Sequence, residues 1–482
     1  RDVAPSRGLG DVYKRQIIAR YNQPLYVAVK TRQQVAAAGG EVTVDFYLIN
    51  EKNVRGKHQL KISVTDSQGN ITEVGTYETE AAGGEVYGQL LVKDVKIPVP
   101  AAGGLCRIQA KLCKENSVVT TGYDDILSVN LASNMLDGKG AVWEDGNALQ
   151  NFLKGKTKEA VAAYEDNLGK LDWIMVARPP KKDQLTMVPM EALRSADGKP
   201  GLDVVYYEDM EFQKEVYHEV AKVVNLSAIE GATPSPFVYM LDGYGIKWSG
   251  KILPSVSGEY TIIPQSNDRS MIEVFVNGKK IYEITRKKEH LGDGKVYLEG
   301  GKSADIEIRF RHPRSNARCR LDWAVPNDKM PDAQRLMERA VNDGTKIFII
   351  QSADEWSEFI AANSKAVFKD KFFVGTNWLG GVMFNKPHDI FKELPVGNAL
   401  NWPYQALIHT GVERMGLVME GEELLVGAYH TYPMAIGTAM GIVPMGKGSV
   451  LFSTLDIYGN IINDSAAGLV AKKLIFNMID FK

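Results

Sequence analysis

A carboxylate at the end of a hydrophobic strand is the first feature of this sequence that could do chemistry. The run DFYLIN, residues 45–50, alternates as a strand does and is followed directly by Glu51. A strand-end glutamate can act as the general acid and base of glycoside hydrolysis when a second carboxylate stands about 5 Å away as the nucleophile. The elements around Glu51 must decide whether it has such a partner.

The sequence before Glu51 does not predict a catalytic barrel. In a (β/α)8 barrel the catalytic side chains lie at the ends of strands that alternate with helices. Residues 17–50 have the pattern of strands alone, and no eightfold strand–helix repeat follows anywhere in the chain. We therefore interpret Asn50 and Glu51 as an ordinary strand-end turn and expect no catalytic residue in this chain.

Composition narrows the classes of partner. The 482 residues are enough for about three domains. Lys and Arg number 57 and Asp and Glu 59, so the net charge of −2 gives no electrostatic basis for binding nucleic acid or a membrane surface. No apolar stretch approaches the roughly 18 residues of a membrane span. We expect neither a nucleic-acid partner nor a membrane span.

The N-terminal segment differs from the rest of the chain. Residues 1–16, RDVAPSRGLGDVYKRQ, show no apolar periodicity, and the chain begins with Arg1 rather than Met. We interpret this segment as a non-native leader and the chain as a fragment of a longer protein.

Residues 17–130 have the pattern of an antiparallel β-sandwich. Short alternating runs are separated by Gly-rich or Asn-containing turns, a spacing typical of immunoglobulin-like sandwiches. The runs include YVAVK (26–30), EVTVDFYLIN (41–50), HQLKISVTD (58–66) and LCRIQAKLC (105–113).

Two later segments alternate strands with helices. LDWIMVARPP (171–180) is a continuous apolar run halted by prolines, as in a buried parallel strand. PDAQRLMERAVNDG (331–344) has helical periodicity and is followed by the apolar run TKIFIIQ and by a capping-box sequence at Ser352–Glu355. We predict one parallel α/β domain made of residues 131–199 and 327–482. Gly446–Ser449 is too unlike a phosphate-binding loop in spacing and is predicted to be a hairpin turn.

Residues 200–326, between these two pieces, return to strand patterning and are predicted to be an inserted β-domain. The segment resembles the protective-antigen (PA-14) domain, a β-barrel module of adhesins, toxins and glycosidases. The matching motifs follow one another in the family's order: GLDVVYY (201–207), IKWSGKI (246–252), SGEYTI (257–262), SNDRS (266–270), VNGK (276–279) and LDW (321–323).

The resemblance implies a carbohydrate site at the loop SNDRS. Sugar-binding members of the family hold Ca²⁺ there with two adjacent aspartates, and the ion meets sugar hydroxyls. Asn267 stands where the first aspartate is expected, so Asn267 and Asp268 would form a weaker Ca²⁺ site with one charge fewer. The alternative stays open that both residues only cap a tight turn.

Further carbohydrate-contacting candidates are residues predicted to lie in exposed loops. Tyr244 precedes a strand, and Arg314 and Asn316 belong to the segment HPRSNAR (312–318) between the last two strands. Trp248 and Trp323 lie in alternating strands and are predicted to be core residues rather than sugar platforms.

The flanking regions resemble parts of large glycoside hydrolase family 2 enzymes, a family that includes β-galactosidases, β-glucuronidases and β-mannosidases. The residues that carry this resemblance are YNQPLYVAVK (21–30), residues 46–70 and YGQLLVKDVKIPVP (87–100). AIGTAMGIVP (435–444) with GKGSV (446–450) resembles the amidotransferase-like α/β domain attached to some of these enzymes. Amidotransferase catalysis needs a cysteine beside a histidine, and residues 131–199 and 327–482 contain no cysteine.

The resemblance implies a non-catalytic C-terminal part of a glycosidase that acts on β-linked glycans in the periplasm or outside the cell. Its partners would be a carbohydrate and a catalytic barrel on the missing N-terminal part of the same polypeptide. Two alternatives are a stand-alone surface adhesion protein and a purely structural assembly of domains.

Overall fold

The chain, described here by a computed structural model, divides into two compact units. One contains residues 1–132 and 393–395, and the other contains residues 133–392 and 396–482. The structure describes residues 23–481 with gaps at 116, 132–134, 181–184, 229–232, 236, 267–269, 315–316, 327–330, 375–380, 398, 409–414, 432–433 and 463–465.

The first unit is a two-sheet sandwich. Its strands are β1 (Leu25–Thr31), β2 (Val35–Ala37), β3 (Glu41–Asn50), β4 (Gly56–Thr65), β5 (Ile71–Ala81), β6 (Gly88–Pro98), β7 (Gly104–Lys114) and β8 (Ser117–Val129). Three strands pair in the order β1-β3-β6 and five in the order β2-β8-β7-β4-β5. Val44, Phe46 and Leu48 on β3 pack against Leu60 and Ile108 of the other sheet in one core. A sandwich is therefore present, while its assignment to the immunoglobulin-like type stays a prediction.

Glycine at position 122 lets the two sheets of the sandwich approach. A Cβ atom on Gly122 of β8 would lie 1.6 Å from the carbonyl oxygen of Val27 on β1. The neighbouring Thr120 hydroxyl donates to the carbonyl oxygen of Leu25 at 2.9 Å.

Glu51 follows β3 in an exposed turn, where its amide donates to the carbonyl oxygen of Pro24 at 2.8 Å. The predicted strand-end turn is confirmed.

The second unit begins with an α/β segment and continues into a run of strands. The α/β segment contains β9 (Gly140–Glu144), α1 (Ala148–Leu153), β10 (Ala162–Ala163) and β11 (Trp173–Ala177). The run of strands, called the β-module here, contains β12 (Thr186–Met187), β13 (Leu193–Arg194), β14 (Leu202–Tyr207), β15 (Glu215–Ala221), β16 (Asn225–Ala228), β17 (Tyr244–Ile252), β18 (Gly258–Ser266), β19 (Met271–Val276), β20 (Lys279–Ile284), β21 (His290–Leu291), β22 (Lys295–Leu298), β23 (Ala304–His312) and β24 (Ala317–Ala324).

The chain then returns to strands and helices. These are α2 (Ala333–Asp343), β25 (Lys346–Ile349), α3 (Ala353–Ala362), β26 (Val367–Phe373), β27 (Gly381–Asn385), α4 (Gln405–Ile408), β28 (Met415–Glu420), β29 (Glu423–His430), β30 (Ala435–Met445), β31 (Gly448–Ser453), α5 (Tyr458–Ile461) and α6 (Ala466–Asp480). Short 3-10 helices lie at Met190–Ala192, Asp389–Phe391 and Trp402–Tyr404.

One mixed sheet joins the two α/β segments. Strands β10, β9, β11, β25 and β31 pair in parallel in that order, and β11 and β25 are the parallel strands that the apolar runs at 171–180 and 345–351 predict. The rest of the sheet, β26 to β30, is antiparallel, which strand–helix alternation did not predict. Gly446 and Lys447 form the turn of the β30–β31 hairpin, so the predicted hairpin is confirmed. The predicted capping box is wrong, because Ser352 has φ 54° and its side chain makes no cap hydrogen bond to α3.

The β-module consists of two sheets around one core. One sheet has the order β15-β14-β17-β23-β19-β20-β21 with β13 beside β17, and the other has the order β12-β24-β18-β22 with β16 beside β24. Alternation builds the core, since every second residue of β23, from Ala304 to His312, is buried. Trp248 and Trp323 are 3% and 2% exposed, which confirms them as core residues. Strands β12 and β13 pair with module strands although they precede the predicted boundary at residue 200.

Buried charges connect the β-module to the mixed sheet. Arg320 of β24 donates to both carboxylate oxygens of Asp322, at 2.6 and 2.5 Å, and the Asp322 side chain is 1% exposed. Asn225 of β16 donates to the carboxylate of Asp456, which follows β31, at 3.3 Å. Burial raises the pKa of both Asp322 and Asp456, and the positive charge of Arg320 opposes that shift. The Arg320 guanidinium thus interacts electrostatically with two carboxylates, that of Asp322 on β24 and that of Asp456, which follows β31.

None of the helices in the described residues is long and apolar enough to cross a membrane. Cys106, Cys113 and Cys319 are buried free thiols.

Replacing Arg320 by leucine is expected to destabilise the second unit by about 3–5 kcal/mol at pH 7, because Asp322 would be left as an uncompensated buried charge. Without Arg320 the pKa of Asp322 in the folded state would rise further. A carboxyl group with a raised folded-state pKa lowers the free energy of unfolding at pH values above its unfolded-state pKa, where the unfolded chain holds it ionised. The loss should therefore be smaller near pH 4 than at pH 7. Urea unfolding at the two pH values measures this difference.

The matched control is Lys302→Leu, which removes the ion pair to Glu299 between side chains that are 71% and 55% exposed. We expect its unfolding midpoint to stay at the wild-type value, because exposed ion pairs contribute little. An Arg320→Leu protein as stable as the wild type at pH 7 would refute the role assigned to the buried pair.

Candidate functional site

The predicted carbohydrate site lies where β18 passes into β19. Ser266 ends β18 and Ser270 directly precedes β19. Asn267 and Asp268, predicted from the sequence as Ca²⁺ and sugar ligands, lie outside the described residues, as does Asn316. The structure therefore defines the surroundings of this loop, called the 266–270 loop here, and leaves the assignment of its ligands as a prediction.

A buried serine–histidine contact supports one end of the loop. The Ser270 hydroxyl lies 3.1 Å from Nδ1 of His312, and the His312 ring stacks on Phe310 with an angle of 8° between the planes. A serine beside a histidine is the pair used in nucleophilic catalysis. Here the two residues are only 4% and 0% exposed, so a substrate has no route to the hydroxyl. We interpret the pair as a support for the 266–270 loop.

Two expectations about exposed residues at this end are wrong. Tyr244, expected in an open loop before a strand, is the first residue of β17 and is 1% exposed. His312, expected in the loop HPRSNAR, is the last residue of β23 and pairs with Tyr244 across the sheet. Both strands extend further than the sequence pattern indicates, so each side chain points into the core. Burial also raises the pKa of the Tyr244 hydroxyl.

Arg314 is exposed on the turn that follows β23. Since His312 contacts Ser270, the turn that carries Arg314 leaves the sheet at the same end as the 266–270 loop. The predicted exposure of Arg314 is confirmed, while sugar contact by this side chain stays a prediction.

Exposed hydrophobic side chains form a strip at the same end of the β-module. Phe237, Tyr239 and Leu241, called the aromatic strip here, are 67%, 68% and 43% exposed, whereas Val238 and Met240 between them are 8% and 5% exposed. This alternation anchors the segment through two side chains and turns the other three to solvent. The segment leads directly into Tyr244 at the start of β17, so it lies at the same end of the sheet as the 266–270 loop, on the side of β14 and β15.

Neighbouring residues hold the aromatic strip in place. The Phe237 ring lies 5.1 Å from the ring of Tyr217 on β15, and that ring lies 6.0 Å from Tyr206 on β14. The Glu208 carboxylate next to the Tyr239 hydroxyl raises the pKa of that hydroxyl. Sequence analysis missed this strip. The signal was the alternation in FVYML (237–241), which is short and lies between turn residues.

The exposed rings of the aromatic strip favour one class of ligand. Aromatic rings present apolar faces and a polar rim at low conformational cost, which suits ligands with both apolar and hydroxyl surfaces. Among the residues that the structure describes, no three His, Cys, Asp or Glu side chains are grouped so as to hold a metal ion. The amide and carboxylate oxygens of Asn267 and Asp268 are nevertheless of the type that Ca²⁺ prefers.

The comparisons with known proteins agree with the resemblance of the β-module. Residues 198–335 match the family model of the PA14 domain, so this chain contains a PA14 domain, a module of carbohydrate-binding type. A segment of 127 residues, 26% of this chain, is 27% identical to the anti-sigma-I factor RsgI3 of Acetivibrio thermocellus. That segment spans only 19% of the relative's length.

Solved structures with partial likeness include a glycosidase and an adhesin. A β-glucosidase from Kluyveromyces marxianus is 12% identical, with a TM-score of 0.29, and the match covers 45% of this chain and 27% of the enzyme. The epithelial adhesin 9 A domain from Candida glabrata, solved with Galβ1-3GlcNAc, is 12% identical, with a TM-score of 0.22, and the match covers 31% of this chain and 89% of the adhesin domain. TM-scores this far below 0.5 support no inference about activity.

The alternation of buried and exposed residues in the aromatic strip predicts that neighbouring substitutions differ in their effect on stability. Val238→Ala should lower the free energy of unfolding by about 1–2 kcal/mol, because it removes buried methyl groups. Phe237→Ala should change it by no more than about 0.5 kcal/mol, because most of the ring is already in water. Urea unfolding of both variants tests this. Equal destabilisation by the two substitutions would show that the Phe237 ring is part of the core.

Proposed function

We propose that this chain binds carbohydrate through its PA14 domain and is a non-catalytic accessory region of a larger enzyme. The observation that carries the binding proposal is the match of residues 198–335 to the PA14 domain. We further propose that the larger enzyme is a glycoside hydrolase of family 2 acting on β-linked glycans, with its catalytic barrel N-terminal to this chain. The proposed location is the periplasm or the outside of the cell.

The proposed binding surface combines the 266–270 loop with the aromatic strip. Ca²⁺ takes six to eight oxygen ligands, so an ion held by Asn267 and Asp268 has positions left for two neighbouring sugar hydroxyls. The exposed faces of Phe237 and Tyr239 would contact the apolar face of a sugar several units along a longer glycan, because β14, β17 and β23 lie between β19 and β15, on which Phe237 packs. Arg314, exposed after β23, would donate hydrogen bonds to hydroxyls at the rim, and Asn316 is proposed as a further donor.

The proposed accessory role rests on the covalent link between a binding module and a catalytic domain. A binding module on the same polypeptide as a catalytic domain raises the effective concentration of substrate at that domain without adding chemistry. The proposal of a family 2 parent is supported by two resemblances to such enzymes. Residues 21–30, 46–70 and 87–100 resemble their sandwich, and residues 435–444 with 446–450 resemble their amidotransferase-like domain. The observed two-sheet sandwich and mixed α/β sheet are compatible with both domain types.

The alternatives differ in what surrounds the PA14 domain. A stand-alone adhesion protein would use the same binding surface without a catalytic barrel, and a purely structural assembly would bind no sugar. The mixed α/β sheet favours the enzyme-linked proposal over adhesion, because adhesins more often repeat β-modules.

Sugar binding is tested with the whole chain by titration calorimetry against cellotetraose and laminaritetraose, in Ca²⁺ and in EDTA. We expect binding that EDTA weakens and that Asp268→Ala weakens about tenfold or more, because a charged Ca²⁺ ligand is lost. Asp197→Ala removes a carboxylate that is 79% exposed on another turn and should bind as the wild type does. Wild-type heat signals that are identical in Ca²⁺ and EDTA would exclude the ion from the site.

The family 2 parent is tested by sequencing the genomic DNA upstream of the codon for Ile17. We expect an in-frame barrel with two strand-end glutamates, because a retaining mechanism needs both carboxylates. A start codon followed by a signal peptide immediately upstream, with no barrel, would contradict the enzyme proposal and favour the adhesion protein.

A further inference from the structure

We propose that the outward face of the larger sheet in the β-module carries a second saccharide-binding cleft, separate from the 266–270 loop. A cleft of about 340 Å³ opens there, lined by Ser249, Phe275, Gly278, Asp305, Glu307 and Arg309. This volume lies at the lower end of the range of about 300–1,000 Å³ typical of small-molecule sites, which suits a short saccharide. The assignment of a sugar as ligand rests on the proposed function of the module.

Strand register builds the cleft from three neighbouring strands. Glu307 on β23 lies opposite Ser249 on β17 and opposite Phe275 on β19, so these side chains form one row across the sheet. Buried neighbours on the same strands, including Trp248 and Ile308, show that this row is on the solvent side. Gly278 lies in the turn between β19 and β20. The 266–270 loop is at the other end of β19, so the cleft and the loop are distinct places.

The side chains of the cleft provide both hydrogen-bonding and apolar contacts. The Arg309 guanidinium lies 4.7 Å from the centre of the Phe275 ring and is also paired with Glu307. Asp305 is paired with Lys251 at 3.1 Å. The cleft thus offers carboxylate acceptors, a guanidinium donor and a ring within one small volume.

The balance of charges in the cleft favours an uncharged ligand. The two carboxylates of the cleft are each paired with a cation, so the local charges cancel. A phosphate or other anion would compete with Glu307 for Arg309, and a cation would compete with Arg309 for Glu307. An uncharged molecule with many hydroxyls can instead bridge donors and acceptors while both ion pairs remain. The cleft chemistry therefore favours a neutral saccharide.

An aromatic side chain covers a neighbouring part of the same face. Phe212, held at φ 60° in the loop between β14 and β15, lies between Lys247 and Arg311, with the cations 4.9 and 4.6 Å from its ring centre. Gly245 makes room for this ring, because a Cβ atom there would lie 2.6 Å from it. Phe212 closes the half of the sheet face nearer Tyr244, which leaves the half with Ser249 and Phe275 open to a ligand.

Hydrogen–deuterium exchange of the whole chain, with and without cellotetraose, laminaritetraose or N-acetyllactosamine, distinguishes the two sites. We expect one of these saccharides to protect peptides covering residues 273–280 and 303–310, and this protection should persist in EDTA and in Asp268→Ala. Glu307→Gln removes an acceptor charge and should weaken binding at the cleft about tenfold, seen as a shift in the saccharide concentration that gives half-protection.

Glu283→Gln is the matched control, because Glu283 is likewise a carboxylate on the larger sheet, 23% exposed and paired with Lys280, but does not line the cleft. It should keep wild-type protection. Protection confined to residues 264–272 and 312–318 would overturn the cleft and leave the loop site standing. Protection of the cleft alone would support the cleft and overturn the loop site. Protection of neither region would overturn both, and equal losses in Glu307→Gln and Glu283→Gln would overturn the cleft.

Discussion

Arg320 and Asp322 form a buried ion pair inside the β-module, and Arg320 also interacts with the charge of Asp456 next to the mixed sheet. The pair lies on β24, the strand that contacts β12, β16 and β18. Asp456 from the end of β31 adds a second carboxylate to the field of Arg320. Burying charges is costly unless their partners are correctly placed. We infer that this cluster selects one docking of the inserted module on the mixed sheet more than it adds net stability.

Within the β-module, alternation along the strands separates side chains that build the core from side chains that face solvent. Every second residue faces the core, which takes up Trp248, Trp323 and Tyr244 and removes them from any role as open platforms. The intervening residues of the larger sheet make rows of charged and aromatic side chains on the solvent side. The proposed binding sites therefore lie on strand faces and at strand ends, whereas Trp248, Trp323 and Tyr244 stabilise the core.

Much of the architecture could be predicted from the sequence, because its signals are local and repeated. Strand alternation indicated the sandwich and the β-module, and the apolar runs at 171–180 and 345–351 indicated parallel strands. Positions that depend on tertiary contacts could not be predicted. Tyr244 and His312 are buried because β17 and β23 pair to their last residues, and Ser352 lacks a cap bond because its backbone is left-handed. The aromatic strip was missed because turn residues flank its short alternation.

Carbohydrate binding by the PA14 domain is the central claim, and a glycan array probed with the whole chain in Ca²⁺ tests it most directly. The account predicts retention on glycans with β-linked terminal sugars and less retention for a Phe237→Ala, Tyr239→Ala double variant. Such a variant keeps its fold on this account, because both rings lie mostly in solvent. A wild-type chain that binds no glycan on the array, while unfolding cooperatively in urea, would contradict the claim.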